Sequence, residues 1–156
     1  MTCKPAVARG SRKDLETAMK LLGFELGNID LEIEGKVYDL HNNFIFRDFS
    51  YDIASRELVL RWSGGKGDWI PPDNPSEIVI TARRVSHLSV VARDAEMPYS
   101  EDDCLNCVSF VNANEATENS FTVSSPADPN LHYVFQFMSG FALRVQAEEA
   151  LCHTTQ

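Results

Sequence analysis

The residue types best suited to chemistry are Cys104 and Cys107, a C-x-x-C pair. Such a pair clips zinc when a second pair supplies two more ligands. Cys152-His153 and Cys3 are the other candidates, and neither has the spacing of a second clip. A redox role wants the first Cys at a helix N-terminus, where the dipole lowers its pKa. Here it follows Glu101, Asp102 and Asp103, which raise it. The pair therefore reads as two reduced thiols in a half-buried strand.

Gly64-Gly65-Lys66-Gly67 has the composition of a phosphate loop without its grammar. A P-loop needs four residues before its Gly-Lys, then Ser or Thr, then a helix. Here Gly67-Asp68-Trp69 follows, and Pro71-Pro72 blocks a helix, so the stretch reads as a flexible connection. Asp94, Glu96, Glu101, Asp102 and Asp103 could offer oxygens to calcium, but the D-x-[DN]-x-[DN]-G loop is missing. The four histidines (His41, His87, His132 and His153) are dispersed and lie in no hydrolase or zincin motif. No residue is assigned a catalytic role, a metal or a cofactor.

The charge is more informative. The 156 residues carry 23 acidic and 14 basic side chains, a net charge of −9. From Asp94 to Leu143 there is no Lys or Arg, and eight acids fall there. Nearly all the surplus therefore sits in one continuous third. An acidic balance argues against nucleic acid, whose binding gains from neutralising phosphates with Lys and Arg. With 44% hydrophobic residues the chain is not a disordered one. No apolar run approaches the roughly 18 residues of a membrane helix. The acidic stretch is either a solvated face or a docking surface for a basic protein. In the second case Asp94, Glu96, Glu101, Asp102 and Asp103 make charge contacts. Tyr99 and the loop residue Trp69 are then the apolar anchors. Trp69 could instead fold back over the core, or be buried in a homodimer.

The elements that position these residues follow from periodicity. Leu15, Ala18, Met19 and Leu22 mark one apolar stripe at helical spacing, with Ser11 as cap and Gly23 as the left-handed terminator. A helix is expected there, after a loose tail over 1–10. Beyond Gly23 the period becomes two. Ile29–Ile33, Val37–Leu40, Phe44–Tyr51, Leu58–Trp62, Ile78–Ala82, Val85–Arg93, Cys104–Val111 and, more weakly, Phe121–Ser124 read as strands. Gly35-Lys36 is the expected turn between the first two. Tyr133, Phe135 and Phe137 must meet Phe141, Leu143 and Val145 across the last hairpin. Parity then demands the three-residue loop Met138-Ser139-Gly140, with Gly140 left-handed. The expected fold is mainly β, an antiparallel β-sandwich or barrel with one N-terminal α-helix, as a single domain over 11–152.

The stretches VYDLHNNFIFRDFSYDIASRELVLRWSG, EIVITARRVSHLSVVARD and HYVFQFMSGFALRVQAEEALC resemble a loose group of small bacterial β-domain proteins, some of them assigned as immunity proteins of polymorphic toxin systems. The resemblance covers roughly Val37 to Cys152, leaves out the N-terminal helix and the Asp94–Asp103 loop, and carries over no functional residue. It implies a non-enzymatic protein that neutralises a basic partner by binding. The alternative is a small-molecule-binding or enzymatic β-domain using an interior cavity. No leader pattern is seen at the N-terminus, so a cytoplasmic location with reduced cysteines is expected.

Overall fold

The computed structural model describes residues 18–113 and 131–156. Strands hold 57% of them and helix 2%, so the chain is mainly β. Five strands form the largest sheet, in the order β1 (Lys20–Leu22), β12 (Glu149–Thr155), β7 (Glu77–Arg83), β6 (Glu57–Gly64), β5 (Phe44–Asp52). All its pairings are antiparallel except β1 with β12. A four-stranded antiparallel sheet runs β8 (His87–Val91), β11 (Ala142–Gln146), β10 (Leu131–Phe137), β9 (Leu105–Asn112). A small third sheet holds β2 (Glu25–Leu26), β3 (Asp30–Ile33) and β4 (Lys36–Asp39). None of the three closes into a barrel, which corrects that alternative.

One core joins the sheets. Alternation along β6 buries Leu58, Leu60 and Trp62, and alternation along β10 buries Tyr133, Phe135 and Phe137. Phe46 sits between the two sets, 5.0 Å from the Trp62 ring and 4.5 Å from that of Phe137. Burying side chains of this size is worth roughly 1.5–3 kcal/mol each, which makes these contacts the main stabilising term. The opposite face of the four-stranded sheet carries a second, smaller apolar cluster of Val111, Val134 and Ala142.

The expected helix is not seen. Lys20–Leu22, its intended last turn, is strand β1, and Ser11–Thr17 lie outside the described residues. Helical spacing puts Leu22 on the buried stripe, yet it is 41% exposed. The segment instead satisfies its backbone on the edge of β12, and that tertiary pairing outweighs the local pattern. Gly23 does take the left-handed conformation (φ 79°), as a turn between β1 and β2.

Other expectations hold with small shifts. The first hairpin turns at Glu34-Gly35, one residue earlier than expected, with φ of 51° and 80°. The closing hairpin has the three-residue loop, Gly140 at φ 82°, and Phe137 N–H donating to Phe141 O at 2.8 Å. β12 runs to Thr155 as an inner strand of the large sheet, three residues past the expected domain end at 152. The expected strand at Phe121–Ser124 lies outside the described residues. Among the described residues no helix is long and apolar enough to cross a membrane.

Candidate functional site

The loop between β8 and β9 carries Asp94, Glu96, Tyr99, Glu101, Asp102 and Asp103, and it is fastened along its length. Asp94 N–H donates to Ser139 O (2.7 Å), and Ser139 N–H donates to Glu101 O (3.1 Å). Met138 N–H reaches Cys104 O, and Phe46 N–H reaches Asp103 O (both 2.9 Å). The tight turn of the β10–β11 hairpin thus serves as a template for the acidic loop. Within it, Asp94 Oδ1 accepts from Glu96 N–H (2.9 Å), and Tyr99–Glu101 forms one 3-10 turn.

Arg93 organises the side chains. Its Nε–H donates to both carboxylate oxygens of Asp102, at 2.8 and 3.1 Å, and an Nη2–H donates to Met97 O. The same guanidinium lies 4.5 Å from the centroid of the Tyr99 ring, a favourable cation–π distance. Arg93, with help from the Ser139 hydroxyl, holds the Asp102 carboxyl below the usual carboxylate range. Tyr99 is nevertheless 82% exposed. A large exposed ring held in one place needs little further ordering when a partner covers it.

Trp69 stands on the connection between β6 and β7. Its ring lies over Gly67, where a Cβ would come within 2.4 Å of it, and its Nε1–H points to Asn42 O at 3.4 Å. It stays 70% exposed and does not close over the core. In the Gly-rich connection Gly65 N–H donates to Asn43 O (2.8 Å), and farther along it Asp73 pairs with Lys36. Next to Asn42, His41 Nδ1 bonds the carbonyl of Leu105, the first residue of the strand that follows the acidic loop.

Beside the loop, at the edge of β5, an open groove of about 330 Å³ is lined by Phe46, Phe49 and Phe141, with Arg47, Asp48, Arg93, Asp102 and Asp103 around it. Phe49 and Phe141 stack at 6.2 Å. Residue identities alone hid this groove, because Phe46 and Phe49 share a face only through a bulge at Arg47.

The cysteines do no visible chemistry together. Cys104 Sγ lies 3.7 Å from His41 Nδ1, and Cys107 Sγ faces Gln136 Oε1 at 3.6 Å. His41 Nδ1 must carry its proton to bond the Leu105 carbonyl, so that nitrogen cannot take one from the thiol. Burial, then Glu101 and Asp103, push the Cys104 thiol up. Among the described residues no three His, Cys, Asp or Glu side chains converge as a metal set.

The outer face of the four-stranded sheet holds a polar group that reading the histidines one by one misses. His87 on β8 and His132 on β10 reach across β11 and their rings meet at 4.5 Å. Arg144, buried between, donates Nε–H to His132 Nδ1 at 3.0 Å and Nη2–H to Asn112 O at 3.0 Å. Burial, then His87 and Arg144, lower the His132 pKa to about 4. The available signal was parity: His132, Arg144 and Gln146 all take the face opposite the aromatic one.

Comparison with protein-family models, curated proteins and solved structures found no match for this chain. What the site does must be argued from its geometry.

Proposed function

We propose that the chain is a non-enzymatic binding protein, a two-sheet sandwich that presents the 94–103 loop to a basic protein partner in the cytoplasm, in the manner of an immunity protein. The observation that supports this is the fixed, exposed Tyr99 within a run of acids. Asp94, Glu96, Glu101 and Asp103 flank it in sequence, and Asp102 is committed to holding Arg93. An acidic, preformed loop raises the encounter rate with a basic partner and selects against acidic ones. Trp69, exposed on the β6–β7 connection, supplies a second anchor.

Co-expression with the protein encoded beside this chain tests the reading. If that protein alone arrests growth and this chain relieves the arrest, the reading is supported. Arrest with no relief overturns it.

A second reading, a β-domain that binds a small molecule, has one observation in its favour. The groove near Phe49 combines an aromatic lining with charged groups at a volume that suits a small ligand. It opens at a sheet edge, however, and does not lie inside the core.

A further inference from the structure

We propose that the open edge of β5, from Asp48 to Asp52, receives an extended segment of the basic partner as an added strand. One apolar side chain of that segment seats against Phe49 and Phe141. The inference rests on the reading of a basic partner given above, and it names the mode of binding.

β5 is the outermost strand of the five-stranded sheet, and among the described residues no strand pairs with its free side. Only its near end is closed, by the Phe46 N–H to Asp103 O bond. That bond shows that the Phe46 N–H points away from β6. At the bulge, Arg47 and Asp48 together oppose Arg61, so the alternation restarts one residue later. Phe49 and Tyr51 therefore turn their N–H and C=O groups to the open side. An unpaired row of this kind is a template for another strand, and proteins usually blunt it. Here the Phe46–Asp103 bond closes the first half, and among the described residues the second half has no paired strand.

The groove lies at the same edge. A strand added about 4.8 Å from β5 points alternate side chains to the inner face, where Phe49 and Phe141 wait. Main-chain bonds would supply affinity and the groove would supply selectivity. Tyr51 (37% exposed) and Ile53 (82% exposed) extend the apolar contact beyond the groove.

Charge chooses the occupant. In a twofold pairing with a second copy that matches Phe49 to Tyr51, Asp48 would stand opposite Asp52 at both ends, and each copy carries a net charge of −9. A segment with Lys or Arg at those positions reverses the sign of both contacts. Asp48 already holds Arg61 at 2.6 Å and stays half exposed, so it remains within reach.

The probe is an acetylated octapeptide alternating Lys and Val with one Phe in place of Val, added to the intact protein. Amide hydrogen exchange is followed residue by residue. Exchange at Phe49 and Tyr51 should slow at least ~10-fold on saturation, as two new backbone bonds imply. The same peptide N-methylated at alternate backbone nitrogens cannot pair, and should bind at least ~10-fold more weakly. Tyr51→Pro, which removes an outward N–H and no bond to β6, should weaken the unmodified peptide likewise. The N-methylated peptide decides the matter even if that variant misfolds. Peptide that slows exchange only within 94–103, or equal binding of the two peptides, overturns the inference and leaves the proposed function standing. Absence of binding also overturns it, and the growth assay above then judges the function separately.

Discussion

The Arg93 guanidinium faces the Tyr99 ring at 4.5 Å while its Nε–H is shared between both oxygens of Asp102. An exposed ring is thereby fixed by a cation that is itself fixed. Under the proposed function, Tyr99→Ala should weaken binding of the basic partner by at least ~30-fold, the loss typical of an aromatic hot spot. Arg93→Lys should also weaken it, because an ammonium cannot reproduce the two-oxygen contact. Titration calorimetry measures both, and melting temperature should move little in either variant.

Gly140 tests the link between hairpin and loop. Its φ of 82° is left-handed, and a Cβ there would meet Asp94 N at an ordinary 3.6 Å. The cost of Gly140→Ala is therefore conformational and not steric, roughly 1–2 kcal/mol. Urea unfolding should show a lower midpoint with an unchanged slope. A loss far above that range would mean that the substitution also displaces the acidic loop.

His132 gives a pH dependence with a definite sign. Its pKa is about 4 folded against 6.5 unfolded, so between those values the unfolded chain binds the extra proton. The neutral His132 contributes stability that is complete above pH 6.5 and is lost as pH falls toward 4, up to about 3 kcal/mol. Protonation would also place an N–H on Nδ1 against the Arg144 Nε–H. His132→Gln keeps an acceptor without titrating, so its stability should fall less steeply than wild type between pH 6.5 and 4. Parallel curves in chemical denaturation would contradict the assignment.

The thiols should be slow. Burial raises Cys104, Cys107 and Cys152, the last to about 12. At pH 7.5 iodoacetamide should label Cys152 at least ~10-fold more slowly than free cysteine, and Cys104 and Cys107 more slowly as well, since only the thiolate reacts. Peptide-resolved mass spectrometry reads the rates. Faster labelling at Cys104 would reopen a nucleophilic role.

Much of this fold is legible in single residues. Alternation located most strands, and the parity of Phe137 against Phe141 fixed the last hairpin and its glycine. The failures lie where distant parts decide. The Leu15–Leu22 stripe looked helical because the β12 edge that claims Lys20–Leu22 is more than 120 residues away. The bulge at Arg47 has no sequence mark, so the groove and the open half of β5 were hidden. For the site, the acids and Tyr99 could be picked out from the run without Lys or Arg. Arg93, just outside that run, could not, although it holds the loop together.

The most direct measurement is the association rate with the proposed basic partner, at low and at physiological salt. The comparison is wild type against the triple variant Glu96→Lys, Glu101→Lys, Asp103→Lys. These three leave intact the Asp94 bond to the Glu96 N–H and the Asp102 pair with Arg93. Association should slow at least ~10-fold at low salt, and its salt dependence should flatten. Equal rates with equal salt dependence would contradict a charge-steered acidic docking loop.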